Sequence, residues 1–397
     1  MKCKLKTLAT VKGGKRLPKG TQLISTPNSH PYIRVGDLNN QRILELNSNY
    51  EFVDNEIQKQ ITHYTVHKGN IILSIVGTIG LVAIVGESLD KANLSENCAK
   101  IITSEKIDNK YLYYYLKSHI GQTEITRGTV GAVQPKLPIK NIEDIDVWVP
   151  PKNIQIKIAS ILSCIDDKIE INNKINQNLE QQAIAFFKSW FIDCTPYGGT
   201  TPKEWRNVIL DNITSLVTRG IAPKYADNFN QIVINQKCIR NHMIDLSLAR
   251  THTPKTINEK WLQYGDLLIN STGTGTLGRT AQVWFTPKNL TVDSHVTIVR
   301  PAKENLIFYI GMWGILHEQE IESLHTGSTG QIELPRERVK AIELLLPDDK
   351  TLDRFNAIIT PMTTAIVSNQ EENQRLAEIR NALLPKLISG ELVIPNT

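Results

Sequence analysis

Few residues in this chain have both the type and the spacing for catalysis. His63 and His67 stand four apart, a separation at which two imidazoles can share a metal. No Cys, Asp or Glu pattern completes a ligand set around them, so they read as ordinary histidines. Five cysteines (Cys3, Cys98, Cys164, Cys194, Cys238) are scattered without a C-x-x-C pair. That usage fits a reducing cytoplasm and argues against a zinc knuckle or a disulfide framework. A phosphate-cradling G-x-x-x-x-G-K-[ST] loop is absent. The Pro-Pro pair in Val149-Pro150-Pro151-Lys152 lacks the preceding Asn or Asp and the following aromatic with which a base-modifying enzyme holds a flipped base. No nuclease-like carboxylate cluster stands out. Catalysis by this chain alone has no support in its residues.

Charge is more informative. The net charge is only +5, but no acidic residue precedes Asp37, while Lys2, Lys4, Lys6, Lys12, Lys15, Arg16, Lys19 and Arg34 all do. Such a block is either a solvated face or a phosphate-contacting one. Lys15, Arg16, Lys19 and Arg34 lie beside Gly and Pro, and Arg219, Lys224, Arg240 and Arg250 cluster in a comparable place further on. Arg127 and Lys136 flank the turn at 128–131, and Arg279 follows a GTLG turn. These eleven are the candidate nucleic-acid contacts, with plain surface charge as the alternative for each. The turns GTIG (77–80) and GTLG (275–278) could offer backbone N–H groups to phosphate or serve as simple β-turns. Residues 201–350 are nearly neutral, with 17 Lys and Arg against 16 Asp and Glu, so contact there must rest on local clustering.

The start, MKCKLKTLAT, lacks the apolar core of a signal peptide. The apolar run at 71–86, IILSIVGTIGLVAIVG, is shorter than the ~20 residues of a membrane-spanning helix. Its glycines suit two buried strands and a tight turn. No membrane partner is expected.

The chain is written twice, at a period near 200 residues. YIRVGDLNNQRI (32–43) matches IVINQKCIRNHMI (232–244), and GNIILSIVGTIGLVAIV (69–85) matches GDLLINSTGTGTLGRTAQV (265–283). Gly128 and Gly131 match Gly327 and Gly330, and VWVPP (147–151) matches LLLPD (344–348). Helices are expected at 108–119 and 305–317, one per copy. A long helical stretch follows each copy. Ile154, Ile158, Ile161, Ile165, Ile169, Asn172, Ile175/Asn176, Leu179 and Phe186 recur at steps of three and four. Leu352, Phe355, Ile359, Met362, Ile366, Asn369, Asn373, Leu376 and Leu383 do the same. At a constant offset of 197, Ile158 falls on Phe355, Ile165 on Met362, Ile169 on Ile366 and Leu179 on Leu376. Asn172 likewise falls on Asn369, and Asn176 on Asn373.

A narrow stripe sustained that long is a coiled-coil seam, and asparagines inside it fix register. The two helices are therefore expected to pack on each other. At 1.5 Å per residue, ~38 residues would span ~57 Å, a ruler between globular parts. The cluster Phe186, Phe187, Trp190 and Phe191 ends the first helix, either as core packing or as an anchor for a partner. The fold class expected is α+β: two α/β globular domains related by duplication, separated by two long antiparallel coiled-coil helices. The boundaries expected are 1–150, 151–194 (helix), 195–347 and 348–397 (helix).

Over essentially its whole length the chain resembles the specificity subunits of type I restriction–modification enzymes. KRLPKG (15–20) with PYIRVGDL (31–38) resembles the opening of one group of their target-recognition domains, and RGIAPKY (219–225) with INQKCIR (234–240) resembles another. GDLLINSTGTGTLGRTA (265–281) is similar to the family's central strand–turn–strand, and NQRLAEIRNALLPKLISGEL (373–392) to its C-terminal conserved segment. The resemblance implies a non-catalytic DNA reader: each globular domain takes one half of a bipartite, asymmetric target in double-stranded DNA. It also implies that the helices set the gap and dock two methyltransferase (modification) subunits, with two motor–nuclease (restriction) subunits in the full complex. S-adenosylmethionine, ATP and magnesium would then sit on those partners, and no cofactor or metal on this chain. Two rivals compete with this reading. A self-contained methyltransferase or nuclease lacks its motifs, and a purely protein-binding coiled-coil adaptor leaves the two unlike Gly/Arg-rich units unexplained.

Overall fold

A computed structural model describes the chain apart from residues 39–40, 328–331, 393 and 395–397, so Gly330 of the repeat lies outside the described residues. The chain divides into two compact units, Met1–Glu170 with Asn373–Thr397, and Ile171–Glu372.

The first unit contains, in chain order, β1 (Lys2–Lys4), β2 (Ala9–Gly13), β3 (Pro31–Ile33), β4 (Ile43–Leu44), β5 (Glu51–Phe52), α1 (Asn55–Ile61), β6 (Ile71–Ser74), β7 (Val82–Val85), β8 (Asn93–Leu94) and β9 (Cys98–Thr103). These are followed by α2 (Asn109–Lys117), α3 (His119–Gly128), α4 (Ile139–Glu143), β10 (Asp146–Trp148) and the long α5 (Lys152–Phe187), which runs on into the second unit. The main sheet has the order β2-β9-β6-β7-β4, and a smaller one β5-β3-β8. Strands β6 and β7 are buried throughout because each face meets a core. Ile71, Leu73, Val82 and Ile84 pack under α2, whereas Ile72, Ala83 and Val85 face the small sheet. A strand covered on both sides reads as an unbroken apolar run, which is why 71–86 resembled a membrane segment. Among the described residues no helix is long and apolar enough to cross a membrane.

The second unit repeats this frame with β11 (Arg206–Ile209), β12 (Thr214–Arg219), β13 (Ile232–Ile234), β14 (Ile239–Arg240), β15 (Met243–Ile244), β16 (Arg250–Thr251), β17 (Leu267–Asn270), β18 (Thr280–Gln282), β19 (Leu290–Val292) and β20 (Val296–Pro301). Then come α6 (Ile307–Leu316), α7 (Glu318–Ser323), α8 (Arg336–Lys340), β21 (Glu343–Leu346) and α9 (Asp349–Ser389). The order β12-β20-β17-β18 reproduces β2-β9-β6-β7, and the parallel pair β13/β19 reproduces β3/β8. Two glycines per unit fix the frame. A Cβ on Gly14 would lie 2.1 Å from the Ser95 carbonyl oxygen, and one on Gly220 1.9 Å from that of Val292. Gly80 and Gly278 sit at φ +91° and +83°, where L side chains are strained.

Helices α5 and α9 pack against each other in both units, antiparallel in each. In the second, Asn369 Nδ2 donates to Asn176 Oδ1 at 2.8 Å, Asn172 Nδ2 to Glu372 Oε2 at 2.7 Å, and the Phe355 ring lies 6.0 Å from those of Phe187 and Trp190. In the first, Ile158 and Leu162 share a core with Leu387 and Ile388, and Arg380 donates to Asp166 at 2.8 Å. Neither helix stands as a unit of its own, unlike the 151–194 and 348–397 segments expected. Ile158, Ala159 and Leu162 of α5 belong to the first unit's core, and Ala183 and Phe187 to the second's.

The seam also differs in detail. Ile158, Asn172, Asn176, Phe355 and Ile366 are buried, while Ile165, Ile169, Leu179, Met362, Asn369, Asn373 and Leu376 are only half-buried. Ile161 and Phe186 are exposed, their expected places taken by Leu162 and Phe187, and of the pair Ile175/Asn176 it is Asn176 that is buried. One helix covers only the centre of its partner's stripe, and the flanks are covered where a globular core reaches them. Phe187, Trp190 and Phe191 pack with Phe355, Trp205 and Tyr309, which makes that cluster core.

Candidate nucleic-acid interface

In the first unit, the close approach of Gly14 to the 94–95 backbone brings the chain leaving β2 alongside the turn at 95–97. Arg16, Arg34, Tyr32, Ser95, Glu96 and Asn97 then line one cleft of about 360 Å³. Arg16 Nε meets Glu96 Oε1 at 2.8 Å, yet the arginine side chain stays 82% exposed. Burial opposes charge on Glu96, but the hydrogen bond and charge of Arg16, together with bonds from the Glu96 backbone and Ser95, outweigh it and hold the carboxyl below its ordinary range. Arg34 pairs with Glu51. Lys15 lies over the Tyr64 ring, 5.5 Å from its centre, and Lys19 is exposed. Arg127 is placed elsewhere, on α3, against Glu124 at 2.5 Å. Lys136, at the bridge with Val76 and Val130, is exposed and has no ion pair among the described residues.

The second unit has a larger cleft, about 980 Å³, lined by Arg240, His242, Arg279, Glu180, Glu318 and Trp284 among others. It is shaped by the β14–β15 hairpin, whose two turn residues, Asn241 and His242, sit at φ 49° and 58°. Positive φ at both central positions matches the twist of a two-residue hairpin. His242 Nδ1 lies 2.6 Å from Glu180 Oε1 of α5, and Nε2 lies 3.9 Å from Glu318. The hydrogen bond with Glu180 raises the His242 pKa above its ordinary value, against the pull of burial. Arg240 and Arg279 meet in this cleft without an ion pair among the described residues. Arg219 is drawn away to Glu333 at 2.6 Å and to the Leu334 carbonyl oxygen at 2.8 Å. Arg250 stacks on Tyr225 at 4.0 Å, and Lys224 is exposed beside it.

Two residues escaped the sequence reading. Arg42, its side chain only 6% exposed, pairs with Asp167 and Glu170 of α5. His242 does the corresponding task from the matching segment of the repeat. Both fall in the aligned stretches 32–43 and 232–244, but nothing in those stretches points to their carboxylate partners on α5.

Residues 1–181 match the family described as the type I restriction modification DNA specificity domain. Over 388 residues the chain is 26% identical to the type I restriction enzyme MjaIX specificity subunit of Methanocaldococcus jannaschii, spanning 91% of this chain and 86% of that relative. Over most of its length the chain is thus similar to specificity subunits of type I restriction–modification enzymes. It is also 23% identical to the HindI specificity subunit of Haemophilus influenzae, over 92% of this chain and 95% of the relative. The crystal structure of the type I restriction-modification system S subunit from M. genitalium shares the fold, with a TM-score of 0.61 at 16% identity, covering 98% of this chain and 96% of that one. The α+β fold of the chain is thus shared with that S subunit.

Proposed function

We propose that this specificity subunit reads double-stranded DNA in two unlike halves, one per globular unit, and itself catalyses nothing. The carrying observation is the contrast between a repeated backbone frame and unrepeated charges upon it. The bridge position occupied by exposed Lys136 in one unit holds Glu333, paired to Arg219, in the other. Base identity is read by a few side chains, while lysines and arginines on phosphate position the reader. Arg16, Lys19 and Arg34 supply that grip in the first unit; Lys224, Arg240, Arg250 and Arg279 supply it in the second.

On this reading α5 and α9 set the spacing between the half-sites and dock two methyltransferase subunits. Exposed Ile161, Ile171, Ile175 and Ile379 on these helices support a docking role. The methyltransferases would bring S-adenosylmethionine, and two motor–nuclease subunits would bring ATP and magnesium chemistry, all within the cytoplasm. The test is methylome sequencing of a host carrying this chain with its modification subunit. A split adenine motif with a fixed gap is expected. Methylation of DNA by the purified chain alone would refute the non-catalytic assignment.

A further inference from the structure

Cross-strand neighbours on an antiparallel pair stand close enough to interact, and like charges placed directly opposite destabilise the sheet. The first unit contains such a pair: Lys12 on the edge strand β2 is in register with Lys100 on β9. Lys100 is moreover buried, in a strand that otherwise reads Cys-Ala-x-Ile-Ile-Thr. Its ammonium hydrogen-bonds the Thr65 carbonyl oxygen. Lys15 reaches the same turn, over the ring of Tyr64. None of the three is ion-paired among the described residues. Burial, and then the charge of Lys12, pull the Lys100 pKa below its ordinary range, and no carboxylate opposes them. Lys12 and Lys100 thus stand opposite one another across the sheet, Lys100 and Lys15 both reach the turn at 64–65, and none of the three has a carboxylate partner among the described residues.

We propose that Lys12, Lys15 and Lys100 form a seat for one backbone phosphate of duplex DNA. A phosphate would accept from the three ammonium groups and relieve the Lys12–Lys100 repulsion. Free protein thus bears a cost that the complex recovers. The second unit has no counterpart, since the matching register pair is Thr218 and Ile298. The seat is therefore a property of the first reader alone. It rests on the DNA-reading proposal above, and extends the contact surface to Lys12 and Lys100.

The experiment measures binding of the full-length chain, alone and with a co-expressed type I methyltransferase subunit, to a duplex of about 30 base pairs. Salt is varied between about 50 and 200 mM. Each phosphate contact contributes about 0.9 to the logarithmic salt slope, so Lys12→Gln or Lys100→Met should shrink the affinity ratio across that range about 3.5-fold. Thermal midpoints without DNA should hold or rise, because a repulsion is removed. If Lys100→Met fails to fold, Lys12→Gln and Lys15→Gln carry the test from exposed positions. Unchanged slopes in the variants overturn the seat while leaving the DNA reader intact. Failure of wild type to bind duplex in either form overturns both. Inorganic phosphate at matched ionic strength that stabilises wild type but not Lys12→Gln, with slopes equal, would assign the seat to free phosphate and refute the DNA form.

Discussion

The first unit is fastened to α5 by an arginine, the second by a histidine. Arg42 is held by Asp167 and Glu170, and His242 by Glu180. Around them the backbone is the same: Gly80 N bonds the Ser74 carbonyl oxygen at 3.1 Å and Gly278 N that of Asn270 at 2.9 Å. Leu137 N meets the Ile75 carbonyl oxygen, and Leu334 N that of Ser271, both at 2.9 Å. Charges follow no such rule. Asn70 in one unit stands where Asp266, bonded to Arg300, stands in the other. The frame is held by backbone hydrogen bonds and buried apolar faces, so its polar side chains were free to diverge. The divergence gives two units with different electrostatics and different sensitivity to pH.

The largest expected difference lies at Asp266 and Arg300. Asp266 is fully buried and accepts from Arg300 Nε and Nη2 at 2.8 Å each. Removing one partner of such a pair strands a charge, so Arg300→Met should cost about 3–5 kcal/mol. In hydrogen exchange the loss should appear in the second unit and leave β6 and β9 of the first protected. Equal loss in both units would mean that they do not fold independently.

Arg42→Met should cost less, about 1.5–3 kcal/mol, because Asp167 and Glu170 are half-exposed and can be hydrated. Its effect should be the same at pH 6 and pH 8, as read by chemical denaturation. The Asn176–Asn369 bond sharpens the comparison differently. Changing both residues to Leu should raise stability by about 1 kcal/mol and loosen the register of α5 against α9, measured by disulfide trapping at introduced cysteine pairs. A single well-defined register in the double variant would show that the asparagines do not set it.

The smallest effect is at His242. Its pKa is raised in the folded state, so the stabilisation from Glu180 is complete below the unfolded value near 6.5 and fades as pH rises through the higher folded value. Exchange protection of the β14–β15 hairpin should fall over that window, by about 1 kcal/mol or less. His242→Gln should flatten the profile, and a profile unchanged by that substitution would dismiss the clamp.

Much of this was legible beforehand. The repeat showed through because both copies must bury the same faces, and the helices expected at 108–119 and 305–317 stand at 109–117 and 307–316. Where each helix turns its flanks was not. Ile161 and Leu162 are equally apolar in sequence, and only the packing of α9 and the first core decides which is buried. The fastening role of Arg42 was hidden because its partners lie more than 120 residues away. Lys100 did carry a signal, as a charge inside an apolar strand, but its cross-strand partner Lys12 appears only once the strands are paired.

The central claim is that one frame holds two separate readers, and exchange of residues 1–150 for those of a relative with a different target tests it most directly. Methylome sequencing of the host carrying the hybrid should show one half of the split motif replaced, with the other half and the gap unchanged. A hybrid that methylates an altered second half, or shifts the gap, would contradict the account.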